Sequence, residues 1–200
     1  MTRAVSVLLA LLLGTAAFGL LALARHGVSA RDEPMAVEAF LARRVRSLAI
    51  PREMRRRENP LTLTPEALTR ARAHFADHCA SCHGNDGRGQ TTLGRNMYPK
   101  APDMTLPETQ RLADGELFAI IENGVRLTGM PAWGSLGPEH DAETWELVHF
   151  IRHLPKITPE ELDEMKAMNP KTREEREEED AIRRFLEGGE APQESAPHRH

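Results

Sequence analysis

The 200-residue sequence predicts an all-α fold: one small helical domain, preceded by an N-terminal transmembrane helix and followed by a charged helical tail. Three observations predict it. Apolar residues recur at helical spacing in separate segments of residues 64–155. Hydroxyl caps, Pro and Gly punctuate the ends of those segments. No stretch alternates apolar with polar residues as a half-buried strand would.

Ala4 to Ala24 carries no charge and is dominated by Leu and Ala. As a helix it would span about 31 Å, against a hydrocarbon core of ~30 Å. Residues 1–25 are therefore read as a transmembrane anchor. The competing reading is a cleaved signal segment, with Ala22-Leu23-Ala24 as the small-residue cleavage site, but the run is longer than a signal peptide's apolar region. Either reading places the bulk of the chain outside the cytoplasm.

Residues 26–63 form a basic linker, in which Met35–Ile50 has the pattern of a short amphipathic helix. It is read as a solvated spacer. A second reading rests Arg52–Arg57 on anionic lipid headgroups.

Residues 64–155 form the domain. Thr64-Pro65-Glu66 starts a helix with a hydroxyl cap, Pro in the first turn and an acid beside it. Leu68, Ala71, Phe75 and Cys79 give that helix an apolar face. Asp114-Gly115-Glu116 opens a second helix, with Leu117, Ile120 and Ile121 apolar and Gly124 at its end. Asp141 begins a third, carrying Trp145, Val148, Phe150, Ile151 and Leu154 and stopped by Pro155. Long Gly- and Pro-rich loops, 84–107 and 124–138, join them. Aromatic residues make up only 4% of the chain, too few for a large all-protein core. A bulky apolar cofactor at the centre would hold such loops in place.

Residues 156–200 form an acidic tail. Thr158 and Glu161 have capping-box spacing, and Leu162, Met165 and Met168 could pack on the domain. Thr172–Leu186 reads as a charged helix whose apolar patch is Ile182, Phe185 and Leu186, and the last dozen residues read as disordered. His198 and His200 are an incidental surface pair.

A net charge of −4 argues against non-specific nucleic-acid binding. The two Cys residues exclude a disulfide scaffold and a four-Cys metal site. Both fall in Cys79-Ala80-Ser81-Cys82-His83, a C-x-x-C-H string. Each thiol can add across one haem vinyl group, and the following imidazole is placed to ligate the iron. A thioredoxin-like pair would need a βαβ context that the sequence lacks. A zinc site would need two more ligands, for which His78 and His140 have no supporting pattern.

The stretch from Ala71 through Cys79–His83 and Gly84-Asn85-Asp86-Gly87-Arg88-Gly89 resembles a class I c-type cytochrome domain of the bacterial, membrane-anchored, mono-haem kind. So do Pro99-Lys100-Ala101-Pro102-Asp103, Ile121-Glu122-Asn123-Gly124, Gly129-Met130-Pro131-Ala132-Trp133 and the helix bearing Trp145. The resemblance covers a little under half the chain. It implies a cytochrome c-like helical domain around one covalent haem c. Cys79 and Cys82 would form the thioether links, His83 would be the proximal iron ligand and Met130 the distal one. Met97, Met104, His140, His149 and His153 are the other distal candidates. Met97 is read as filler in the loop on the proximal side, and His149 and His153 as ordinary packing residues. The resemblance also implies that a Pro carbonyl, of Pro99 or Pro102, accepts from the ring of His83.

The expected role is a membrane-tethered periplasmic electron carrier rather than an enzyme, anchored in a bacterial inner membrane. Its partners would be a respiratory complex or a periplasmic dehydrogenase, with no nucleic acid. The alternative is a haem protein with a displaceable distal ligand that binds small molecules or does redox catalysis.

Overall fold

The computed structural model describes residues 2–26, 29–134 and 138–187. Among them there is no strand, and every regular element is helical. In chain order these are α1 (Thr2–His26), α2 (Ala36–Ala49), α3 (Arg52–Arg55), α4 (Pro65–His74), α5 (Ala80–His83), α6 (Thr92–Arg95), α7 (Pro107–Gln110), α8 (Asp114–Asn123), α9 (Pro138–His153), α10 (Pro159–Lys166) and α11 (Arg173–Leu186). α1 contains one stretch, Arg3–Ala22, long and apolar enough to cross a membrane.

The helix starts follow their caps. Thr64 accepts from the Ala67 amide at 3.1 Å, and Thr158 and Glu161 exchange bonds in a capping box. α9 begins at Pro138, three residues before the expected Asp141. Proline's fixed φ suits a first helical turn, so the Pro extends the helix instead of delaying it. Between α4 and α5 the chain makes a π-turn, Phe75–Cys79, closed by the Ala80 amide donating to the Phe75 carbonyl. That wider turn buries Phe75 and Ala76 and leaves Asp77 and His78 exposed.

α4 and α8 both pack on α9. Phe75 meets Phe150 at 4.9 Å between ring centroids, and Phe118 stacks on Trp145 at 4.2 Å. Val148, Leu154 and Met165 complete a sealed core. Met165 comes from the tail, so α10 belongs to the packed body. His153 and Arg72 both bind the Glu161 carboxylate, at 2.9 and 3.3 Å, and fix that helix to α9 and α4. Helix α11 leaves Ile182, Phe185 and Leu186 exposed. The last dozen residues, with His198 and His200, lie outside the described residues. A chain cut after Asn169 keeps Met165 and the Glu161 bonds. Its thermal stability should match that of the full chain, while a cut after Ile157 should lower it by several degrees.

The solvated-spacer reading of the connector needs correction in its second half. Met54 and Leu61 pack against the core, and Asn59 donates to the Trp145 carbonyl at 2.8 Å. His149 Nε2 pairs with the Leu61 carbonyl at 2.8 Å. Arg57 lies over the Phe118 and Trp145 rings, 4.9 and 5.2 Å from their centroids. Arg55 reaches Ser47, so neither arginine is turned out toward a lipid surface. The cause is the apolar residues between the arginines: Met54 has a core to enter, and it draws its neighbours in. A β-carbon at Gly115 would strike the Met54 carbonyl oxygen and lie 2.9 Å from that of Arg57. Gly115→Ala should therefore cost about 1–3 kcal/mol. At about 4–8 °C per kcal/mol for a domain of this size, thermal denaturation would register it readily.

Candidate functional site

Cys79 closes the π-turn, and Ala80–His83 form the single turn of α5. Both thiols are free and half-buried. Burial, reinforced by the neighbouring Cys82, pushes the Cys79 thiol up to about 12. It therefore stays protonated near neutral pH. A thiol–disulfide exchange centre needs an attacking thiol of depressed pKa, and Cys79 is shifted the other way.

His83 lies 6.5 Å from Phe75 between ring centroids. Burial lowers its pKa, which keeps the imidazole neutral with one ring nitrogen available as a donor to a metal. Its Nδ1 is buried and has no hydrogen-bond partner. Neither Pro99 nor Pro102 supplies the carbonyl that the resemblance implies for it.

The loop after His83 folds back beneath it. The Gly89 amide donates to the His83 carbonyl at 2.7 Å, and Thr91 donates through its hydroxyl to the Cys82 carbonyl at 3.0 Å. Gly89 has φ +70°, and a β-carbon there would strike the Ala101 carbonyl oxygen. Only glycine combines that backbone with so close an approach. Further on, the Met104 amide donates to the Gly87 carbonyl at 2.8 Å and the Met104 side chain is sealed in the core.

The segment bearing Met130 is pinned at both ends. The Val125 amide donates to the Met130 carbonyl at 3.1 Å, and the Met130 amide donates to the Thr128 hydroxyl at 3.1 Å. The Trp133 and Gly134 amides donate to the Ile121 and Glu122 carbonyls at 3.0 and 3.1 Å. Thr144 of α9 donates to the Glu122 carboxylate at 2.5 Å.

One contact brings this segment to the C-x-x-C-H turn, and a second brings it to the loop that follows. Trp133 stands edge-on to His78, the residue before Cys79, at 5.6 Å between ring centroids. The Met97 sulfur lies against Gly129, where a β-carbon would collide with it. Met97 thus packs on the loop that carries Met130, a position that spacing from His83 did not reveal. Among the other distal candidates, His149 and His153 are engaged with Leu61 and Glu161. The His140 side chain lies outside the described residues. Sequence reasoning also missed the His78–Trp133 contact. Its signal was an aromatic residue three positions after Met130, too weak alone to name a partner.

The donor set fits a covalently held haem: two free thiols three residues apart, a neutral histidine next to the second, and a buried ring nitrogen with bonding capacity unspent. No group of three or more His, Cys, Asp or Glu side chains that could hold a metal ion occurs among the described residues.

The family model for subunit III of cbb3-type cytochrome c oxidase matches residues 66–151. No curated protein matches the chain. The match begins at the start of α4 and ends near the end of α9, so it encloses the C-x-x-C-H turn, both long loops and the Met130 segment. Residues 66–151 are a c-type cytochrome domain, of the kind that carries haem c for electron transfer.

Proposed function

We propose that this protein is a membrane-tethered, periplasmic mono-haem cytochrome c that passes single electrons between a respiratory complex or a dehydrogenase and a second redox protein. The observation that supports this most is that the Met130 segment meets both the start of the C-x-x-C-H turn, through Trp133 on His78, and the loop that follows it, through Met97 on Gly129.

The bound haem would supply a one-electron iron couple. Cys79 and Cys82 would hold it through thioether bonds, and His83 and Met130 would ligate its iron. A soft thioether donor favours the ferrous state and raises the potential. The π-turn sets Cys79 at the end of a helix whose other face is core, so the attachment point is rigid. The loop bonded to the His83 and Cys82 carbonyls fixes the proximal side. The Trp133 and Gly134 amides tie the Met130 segment to α8, and Thr144 ties α8 in turn to α9, which holds that segment in place. With both ligands supplied by the chain, no position remains for a substrate, and the protein acts as a carrier. α1 is the anchor.

A redox titration of the purified holoprotein, followed by its visible absorption bands, tests this. The expected result is one reversible one-electron wave, with low-spin bands at both ends and one haem per chain. Multiple waves, or a spin-state change on reduction, would contradict it.

A further inference from the structure

The connector's first helix, α2, presents its apolar side away from the domain. At 100° per residue, Val37, Leu41 and Leu48 fall on one line, with Val45 and Phe40 on its flanks. All five are exposed, between 50 and 78%. The opposite side of the helix holds the contacts with the domain. Glu38 accepts from the Tyr98 hydroxyl at 2.6 Å, Ser47 lies 3.4 Å from the Glu116 carboxylate, and Arg46 is turned inward and partly desolvated. A surface helix ordinarily shows the reverse arrangement, with apolar residues toward the body and charges toward water.

We propose that α2 lies in the membrane interface, with Val37, Leu41 and Leu48 inserted among the acyl chains. The occupant of this face is lipid, for two reasons. First, only nine residues separate α2 from the membrane-spanning candidate α1. At full extension they reach about 35 Å, which keeps α2 near the end of the span. Second, Arg44 stands beside the apolar line, its guanidinium 5.2 Å from the Phe40 ring centroid. Basic residues bordering an apolar stripe are what an anionic headgroup layer attracts. Because Glu38 and Ser47 tie α2 to the domain, the cytochrome would rest on the bilayer in a fixed attitude, its Tyr98 loop turned toward the lipid. The tether would be a platform and not a leash. This inference rests on the reading of α1 as an anchor.

The test uses the full-length holoprotein in vesicles containing phosphatidylglycerol, with one nitroxide label per variant. The labels go at Leu12→Cys in α1, at Leu41→Cys and Leu48→Cys in α2, and at Glu108→Cys on the exposed α7. Collision rates are measured with oxygen, which partitions into lipid, and with a water-soluble nickel chelate. The expected ratio of oxygen to nickel collisions at Leu41 and Leu48 is several-fold above that at Glu108, with Leu12 higher still. A high ratio at Leu12 with Leu41 and Leu48 equal to Glu108 would overturn the interfacial helix and leave the anchor standing. A Leu12 label open to the nickel chelate would overturn both. Labels at Leu41 and Leu48 shielded from oxygen and nickel alike would mean a protein covers this face, and the lipid assignment would fall.

Discussion

Met130→Ala should convert a closed haem protein into an open one. With the thioether gone, the ferrous variant should bind carbon monoxide within the mixing time. Its reduction potential should fall by on the order of 100 mV or more, because the donor that stabilised the reduced iron has been lost. The haem should remain attached, since attachment rests on Cys79 and Cys82. Met97→Ala is the control. It removes a sulfur that packs on Gly129, so it should loosen the Met130 loop without opening the iron. Spectra of the two ferrous variants under carbon monoxide would check both expectations. A Met130→Ala spectrum indistinguishable from wild type would assign the distal position to another residue.

Cys79→Ala together with Cys82→Ala should abolish covalent attachment. In the wild type the haem should stay with the polypeptide through denaturation and acid–acetone extraction. In the double variant all haem should pass into the organic phase. Each single variant should retain one thioether and give a lower yield of holoprotein. The effect on stability should be large as well, because the domain's own core is thin and its loops lean on the group between them. Haem extracted from the wild type by acid–acetone would contradict the thioether assignment.

Much of this was legible locally. Thr64-Pro65-Glu66 and Thr158-Pro159-Glu160-Glu161 place their helix starts because capping is decided within four residues. The C-x-x-C-H string was legible for a similar reason: its chemistry needs a fixed spacing within one turn. What escaped was non-local. Asn59 and Leu61 have no periodicity to mark them, yet they meet the Trp145 carbonyl and His149 across more than 80 residues of sequence. The π-turn at Phe75–Cys79 left no mark either, since its residues fit an α-helical pattern equally well. The α2 pattern was recognisable as amphipathic, but which side would face the domain depended on Tyr98 and Glu116, which periodicity cannot supply. Likewise, spacing placed Met97 near the proximal side, whereas the fold sets its sulfur on the Met130 loop.

The central claim is that the chain itself fills both axial positions of a covalent haem, leaving electron transfer as its chemistry. The most direct measurement is the absorption spectrum of the reduced wild-type holoprotein before and after carbon monoxide is added. The account predicts a low-spin ferrous spectrum that carbon monoxide leaves unchanged over minutes. A shift within the mixing time would contradict it and would favour a haem that binds small molecules.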